Sequence, residues 1–257
     1  MRGMRRFLFA VLTLCVLGTS GAYADGFRLR LEDFGTGNGV VITDNGAGDI
    51  NPLAGAVTYL GSLNGFTINV TTGLSKPIIG GVNNYAELDL NSVNVRFTGA
   101  GKLRITLEDT GYTSGPDGAT TAVGLVGGTM TAPTGSTVTF QSWVNPDDLV
   151  PDLGADASSP GALTPIGTIP AGSVALWSGN GMTFGPGAFS DTASQGFTHS
   201  GAYSLFTQAT LDFTGAGMVS FDSNLSTVPE PASLLLLSSG LAGMGLWGRK
   251  RRKSAQV

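Results

Sequence analysis

Residues 27–32 alternate without a break: Phe27, Leu29 and Leu31 fall on one face of an extended segment, Arg28, Arg30 and Glu32 on the other. A period of two predicts a half-buried strand. Similar short runs recur at 39–43, 56–60 and 66–71, with Asn45-Gly46 and Asn64-Gly65 supplying residues that tolerate positive φ. Residues 87–97 carry Leu88, Leu90, Val93, Val95 and Phe97, and residues 102–109 carry Leu103, Ile105 and Leu107, with Thr98-Gly99-Ala100-Gly101 between them. That arrangement reads as a hairpin.

The same tetrapeptide returns as Thr214-Gly215-Ala216-Gly217, between extended runs at 203–213 and 218–225, and each copy follows a phenylalanine, Phe97 or Phe213. Two corresponding hairpins of one β-sandwich are therefore expected, each aromatic packing inward ahead of a glycine turn. Further strands are expected at 137–144 and 172–178, and residues 146–172, rich in Pro, Gly, Ala and Asp, form the longest expected loop. The fold class is all-β: a single antiparallel sandwich of about ten strands, jelly-roll-like or Ig-like, between residues 27 and 225.

The two ends have a different texture. Basic Arg2, Arg5 and Arg6 precede an apolar run from 7 to 18, and Ala22-Tyr23-Ala24 follows before Asp25. This is the order of a secretory signal peptide over residues 1–24, cut after Ala24 with Ala22 at the other small position. At the far end residues 232–248 are uncharged and rich in Leu and small side chains, and Arg249, Lys250, Arg251, Arg252 and Lys253 follow at once. A helix of that length spans about 25 Å, enough to cross a bilayer core, and the basic block marks its cytoplasmic side. Residues 25–227 are then the exported domain, and 228–253 its C-terminal signal.

Composition sharpens this division. Residues 25–229 hold six basic and seventeen acidic side chains, a net charge of −11 that the whole-chain value of −4 conceals. So acidic a body is a poor partner for nucleic acid. The one cysteine, Cys15, is lost with the signal peptide, which leaves no disulfide or thiolate chemistry. Forty glycines with few charges favour strands and tight turns.

Candidate chemistry is sparse. The single histidine, His199, sits in Thr198-His199-Ser200-Gly201 with no nucleophile elbow or metal-binding helix signature, and is read as a surface-turn residue; no enzyme activity is expected. Asp44, Asp49 and Asn51 place hard oxygen ligands in a glycine-rich loop, the donor type calcium takes, though local Asx turns use the same residues. No other cofactor is indicated. Trp143 and Trp177 fall inside expected strands, where core packing is the first expectation and a sugar-stacking platform the second.

Pro229, Glu230 and Pro231, then the apolar segment, then the arginine-rich end together resemble the PEP-CTERM sorting signal of Gram-negative bacteria, over residues 228–253. Two prolines around a glutamate hold the backbone extended, a form that suits a protease groove. The resemblance implies an exosortase that recognises and cuts near the Pro-Glu-Pro triplet, after export by the Sec and signal peptidase machinery and transient anchoring in the cytoplasmic membrane. It also implies a destination at the cell surface or in the extracellular matrix, by way of the periplasm, and a link with exopolysaccharide and biofilm. The expectation is a non-enzymatic surface or matrix protein, with a calcium- or carbohydrate-binding module as the alternative.

Overall fold

The computed structural model describes residues 26–80, 85–113, 117–151 and 169–229. The signal-peptide residues with Ala22 and Ala24, and the C-terminal signal from Glu230 and Pro231 through Arg249, Lys250, Arg251, Arg252 and Lys253, lie outside the described residues.

Among the described residues there are thirteen strands: β1 (Arg28–Asp33), β2 (Asn38–Thr43), β3 (Ala56–Leu63), β4 (Phe66–Leu74), β5 (Glu87–Phe97), β6 (Gly101–Tyr112), β7 (Gly118–Thr131), β8 (Thr137–Asn145), β9 (Val174–Ala175), β10 (Met182–Phe184), β11 (Gly187–His199), β12 (Tyr203–Phe213) and β13 (Gly217–Pro229). They form two antiparallel sheets packed face to face. The first has the order β10-β8-β12-β6-β1-β2, with β9 beside β8; the second has the order β11-β7-β13-β5-β4-β3. The expected all-β sandwich is therefore what the chain forms.

Alternation explains the core. Leu29 and Leu31 of β1, Leu103, Ile105 and Leu107 of β6, and Leu205, Ala209 and Leu211 of β12 enter one hydrophobic cluster with Leu88, Leu90, Val93 and Val95 of β5 and Val219, Phe221 and Leu225 of β13. Every second residue of the first sheet points the other way. The Asn64-Gly65 turn is as expected: φ is 48° at Asn64 and 92° at Gly65, and Leu63 pairs with Phe66, a two-residue hairpin.

The repeated Thr-Gly-Ala-Gly is not a hairpin turn. β5 pairs with β4 and β13 in the second sheet, whereas β6 pairs with β1 and β12 in the first, so the turn carries the chain across the sandwich. The copy between β12 and β13 does the same, and the two arches lie side by side. Both leave no room at their second glycine: a Cβ on Gly101 would lie 2.6 Å from Cε1 of Phe97, and one on Gly217 would lie 2.7 Å from Ala132 Cβ and 3.0 Å from Cδ1 of Phe213. Each ring folds back over the glycine that ends its own arch. Phe66 stacks on Phe97 at 3.8 Å and tilts against Phe213 at 6.4 Å, which closes this end of the core.

Two long strands were not expected. β7 and β11 pair along their whole length at one side of the second sheet. Their Gly, Ala, Ser and Thr residues give too little apolar contrast for a period of two to emerge. The strand expected at 172–178 is paired only at Val174 and Ala175. β13, a central strand, continues through Val228 to Pro229, two residues into the stretch that the sequence assigns to sorting; Pro229 is placed opposite Thr120 of β7.

Candidate functional site

The outward residues of the first sheet line up in rows across neighbouring strands. Thr139 of β8 faces Thr210 of β12, which faces Arg104 of β6, which faces Glu32 of β1. The next row runs Gln141, Gln208, Thr106, Arg30, and the next Trp143, Phe206, Glu108, Arg28. A solvated sheet face would expose such residues. Here Arg30, Arg104, Gln141 and Thr106 are buried, and Phe206 and Glu108 are fully so.

A cavity of about 630 Å³ opens on this face, a volume within the usual range for ligand pockets. Its floor comes from β6, β12 and β8, with Lys102, Arg104, Gln208, Thr210, Thr139 and Trp143 among the lining residues. Phe34, just past β1, and Ile169, Gly179 and Asn180 complete the described wall. The segment that supplies Gly179 is tied to the sheet by Gln141. Its Nε2 donates to the Trp177 carbonyl oxygen at 2.8 Å, and its Oε1 accepts from the Trp177 amide at 3.1 Å.

Arg104 is the unusual lining residue. Its guanidinium carbon sits 4.3 Å from the centroid of the Phe34 ring. Glu32 is the nearby carboxylate, but its Oε1 is taken by Arg30 Nη2 at 2.6 Å, and Oε2 stays 3.7 Å from Arg104 Nη1, an ion pair beyond hydrogen-bond reach. Nε and Nη1 of Arg104 are buried without an acceptor among the described residues. Burial, only partly opposed by Glu32, lowers its pKa to about 10, so it remains a cation at neutral pH.

Glu108, two strands from Trp143 in the same row, has Arg28 Nη2 at 2.7 Å from Oε1, close enough for an ion pair but without the angle of a hydrogen bond. Burial pushes its carboxyl up to about 7, against the pull of Arg28 and Arg30. Lys102, half-exposed at the cavity rim, pairs with Asp212 at 3.3 Å.

The two tryptophans separate. Trp177 is buried and donates Nε1–H to Asp191 at 2.7 Å, as core packing predicts. Trp143 points out of the core, is only half-buried, stacks on Phe206 at 5.2 Å and lines the cavity. Its parity was legible: Val138, Phe140 and Val144 face inward, so Trp143 faces outward with Thr139 and Gln141. Arg104 and Lys102 carried the same signal opposite Leu103 and Ile105, and nothing in the local sequence said that their face is covered.

Asp44, Asp49 and Asn51 do share one loop, and they serve its backbone. Asp44 accepts from the Gly55 amide at 2.8 Å and from Asn45 Nδ2 at 3.1 Å. Asp49 Oδ1 accepts from the amides of Asn51 and Thr58, Oδ2 from that of Asn45, and Asn51 Oδ1 accepts from the Leu53 amide. All four carboxylate oxygens accept hydrogen bonds within the loop, with Asx turns at Asp49–Asn51 and Asn51–Leu53, and among the described residues no three His, Cys, Asp or Glu side chains gather to hold a metal. Burial raises the Asp44 carboxyl, the Gly55 amide lowers it, and the Asp49 charge raises it further. His199 is not the surface residue expected: it is buried between Phe197 and Tyr203, with Nδ1 3.0 Å from the Gly201 carbonyl oxygen.

No curated protein matches the chain. Among solved structures it is similar to TmCBM61 in complex with beta-1,4-galactotriose, at 10% identity over 66% of this chain and 92% of that one, with a TM-score of 0.27. A structure of carbohydrate-binding modules from the beta-sandwich superfamily is similar at 13% identity over 71% and 64%, TM-score 0.25. So is the enzymatically active domain of tailspike protein 4 of bacteriophage CBA120, at 9% identity over 62% and 19%, TM-score 0.23. Likenesses at these scores carry no argument about function. The sequence profile of the PEP-CTERM protein-sorting motif, by contrast, matches residues 227–252, where Pro229, Glu230 and Pro231 lie, so the chain carries the motif that marks exported, exosortase-sorted proteins.

Proposed function

We propose that this is a non-enzymatic extracellular protein, sorted and cut by an exosortase, whose sandwich binds carbohydrate in the outer-face cavity, in the setting of exopolysaccharide and biofilm. The sorting half of the reading rests on the motif at residues 227–252. Pro229 is also the last described residue of β13, paired with Thr120 of β7, so the triplet begins on a strand of the sandwich. Extended backbone at that point is the form a protease groove takes. Replacing Pro229, Glu230 and Pro231 with alanine should leave an unprocessed, membrane-retained form on immunoblots of cell fractions. Unchanged size and location would remove the exosortase from the account.

The binding half rests on Trp143: a half-buried indole on a cavity lined by the amides of Gln208 and Asn180 and the hydroxyls of Thr139 and Thr210. Sugars present apolar C–H faces to aromatic rings and hydroxyls to amides, and this lining offers both kinds of contact. Trp143→Ala should abolish retention of the exported protein on a glycan array while leaving its melting temperature within a few degrees. An array blank for the unaltered protein would refute the binding role.

A further inference from the structure

The exported body is strongly acidic, yet its cations are not scattered. Of the six basic residues between 25 and 229, four (Arg28, Arg30, Lys102 and Arg104) occupy the outward positions of the adjacent strands β1 and β6. Glu32, Glu108 and Asp212 share that face, but the described lining of the cavity contains Lys102 and Arg104 and no carboxylate. Arg104 is 4% exposed, and its Nε and Nη1 meet no acceptor in the described chain.

The Arg104 guanidinium, held 4.3 Å from the Phe34 ring centroid, offers a planar fork of donors, and the acceptor that matches such a fork is a carboxylate. A neutral sugar hydroxyl could take one of those hydrogen bonds but would leave the buried charge with only its 3.7 Å contact to Glu32, a carboxylate that Arg30 already shares. Resting on the carbohydrate reading above, we infer that the ligand is an acidic saccharide whose carboxylate is bound by Arg104, with Lys102 beside it and Trp143 stacking a neighbouring ring. The row of Trp143 lies four residues along β8 from that of Arg104, about 13 Å away along the strands, so a ligand that reaches both is longer than a single ring.

Affinity electrophoresis of the exported protein tests this with polygalacturonate, with its carboxyl-reduced neutral form and with dextran sulfate as a plain polyanion. The expected result is retardation by polygalacturonate, at least ten-fold weaker binding to the carboxyl-reduced polymer, and little by dextran sulfate. Arg104→Gln and Trp143→Ala should each lose ten-fold or more, and Arg104→Lys, which keeps the charge and loses the fork, should lose less than Arg104→Gln. Should Arg104→Gln fail to fold by thermal melting, Lys102→Gln at the half-exposed rim carries the test, with a several-fold loss expected. Equal binding to the neutral polymer, or binding indifferent to Arg104 and Lys102, overturns the inference and leaves the carbohydrate reading standing. Retention by dextran sulfate as strong as by polygalacturonate overturns it as unspecific attraction. Binding to no polymer overturns both.

Discussion

Two sets of charges are buried in this sandwich, and they are finished differently. Asp109 of β6 follows Leu103, Ile105 and Leu107 on the inward face, beside Lys76 from the end of β4. Its Oδ2 accepts from Lys76 Nζ at 2.8 Å and from the Ser75 hydroxyl, its Oδ1 from the Thr110 amide at 2.8 Å, and Lys76 also donates to the Thr110 carbonyl oxygen. The Lys76 ammonium lies 4.5 Å from the Tyr112 ring centroid, and Tyr112 donates to the Glu87 carbonyl oxygen at 3.0 Å. The cluster is closed by its own chain. On the outer face, among the described residues, Arg104 keeps two donors without an acceptor beside an open cavity, and neither oxygen of Glu108 accepts a hydrogen bond. Similar chemistry is thus a staple where it is satisfied, and where it is not it forms the receptor we propose.

The largest effect should follow from breaking the closed cluster. Asp109→Ala leaves Lys76 without its counter-ion and should cost about 3–5 kcal/mol in urea unfolding. Replacing both partners, Lys76→Met with Asp109→Leu, should recover much of that; a double variant as unstable as the single one would show that the network holds more than the pair.

Next comes pH. Glu108 has a folded pKa of about 7 against its ordinary 4.5, so the folded state binds its proton more tightly than the unfolded one. Its effect is then a loss of stability as pH rises from about 4.5 to 7, with no further change above, amounting to no more than about 3 kcal/mol. Arg28, Arg30 and Glu32 face the same carboxyl and set the exact position of that window. Melting curves should fall across this range for the unaltered protein and flatten for Glu108→Gln; an equal slope in both would place the titration elsewhere.

The smallest effect should come from Arg104. Arg104→Met removes a buried cation whose hydrogen bonds are unmade, and stability should stay within about 1 kcal/mol. A loss as large as that of Asp109→Ala would mean that the open cluster is structural too, and the contrast between the two would fail.

Much of this was legible in local pattern. The inward Phe27, Leu29 and Leu31, the Asn64-Gly65 hairpin and the outward parity of Trp143 follow from a period of two and from φ preferences, which short stretches encode by themselves. β7 and β11 were not legible, because glycines, alanines and hydroxyl residues become a strand pair only through the partner that satisfies their backbone. Nor could Phe-Thr-Gly-Ala-Gly reveal whether it joins neighbours in one sheet or crosses to the other, since that depends on β1, β12, β4 and β13, far away in sequence.

What the sequence determined alone is therefore the sandwich class, the facing of each well-patterned strand and the sorting motif at residues 227–252, all properties of contiguous residues. Tertiary structure decided which charges share a surface, which are shut from water and which are left with unused donors. Burial and hydrogen-bond satisfaction are properties of a residue's neighbours in space, and β6, β8 and β12 become neighbours only when the sheet is assembled.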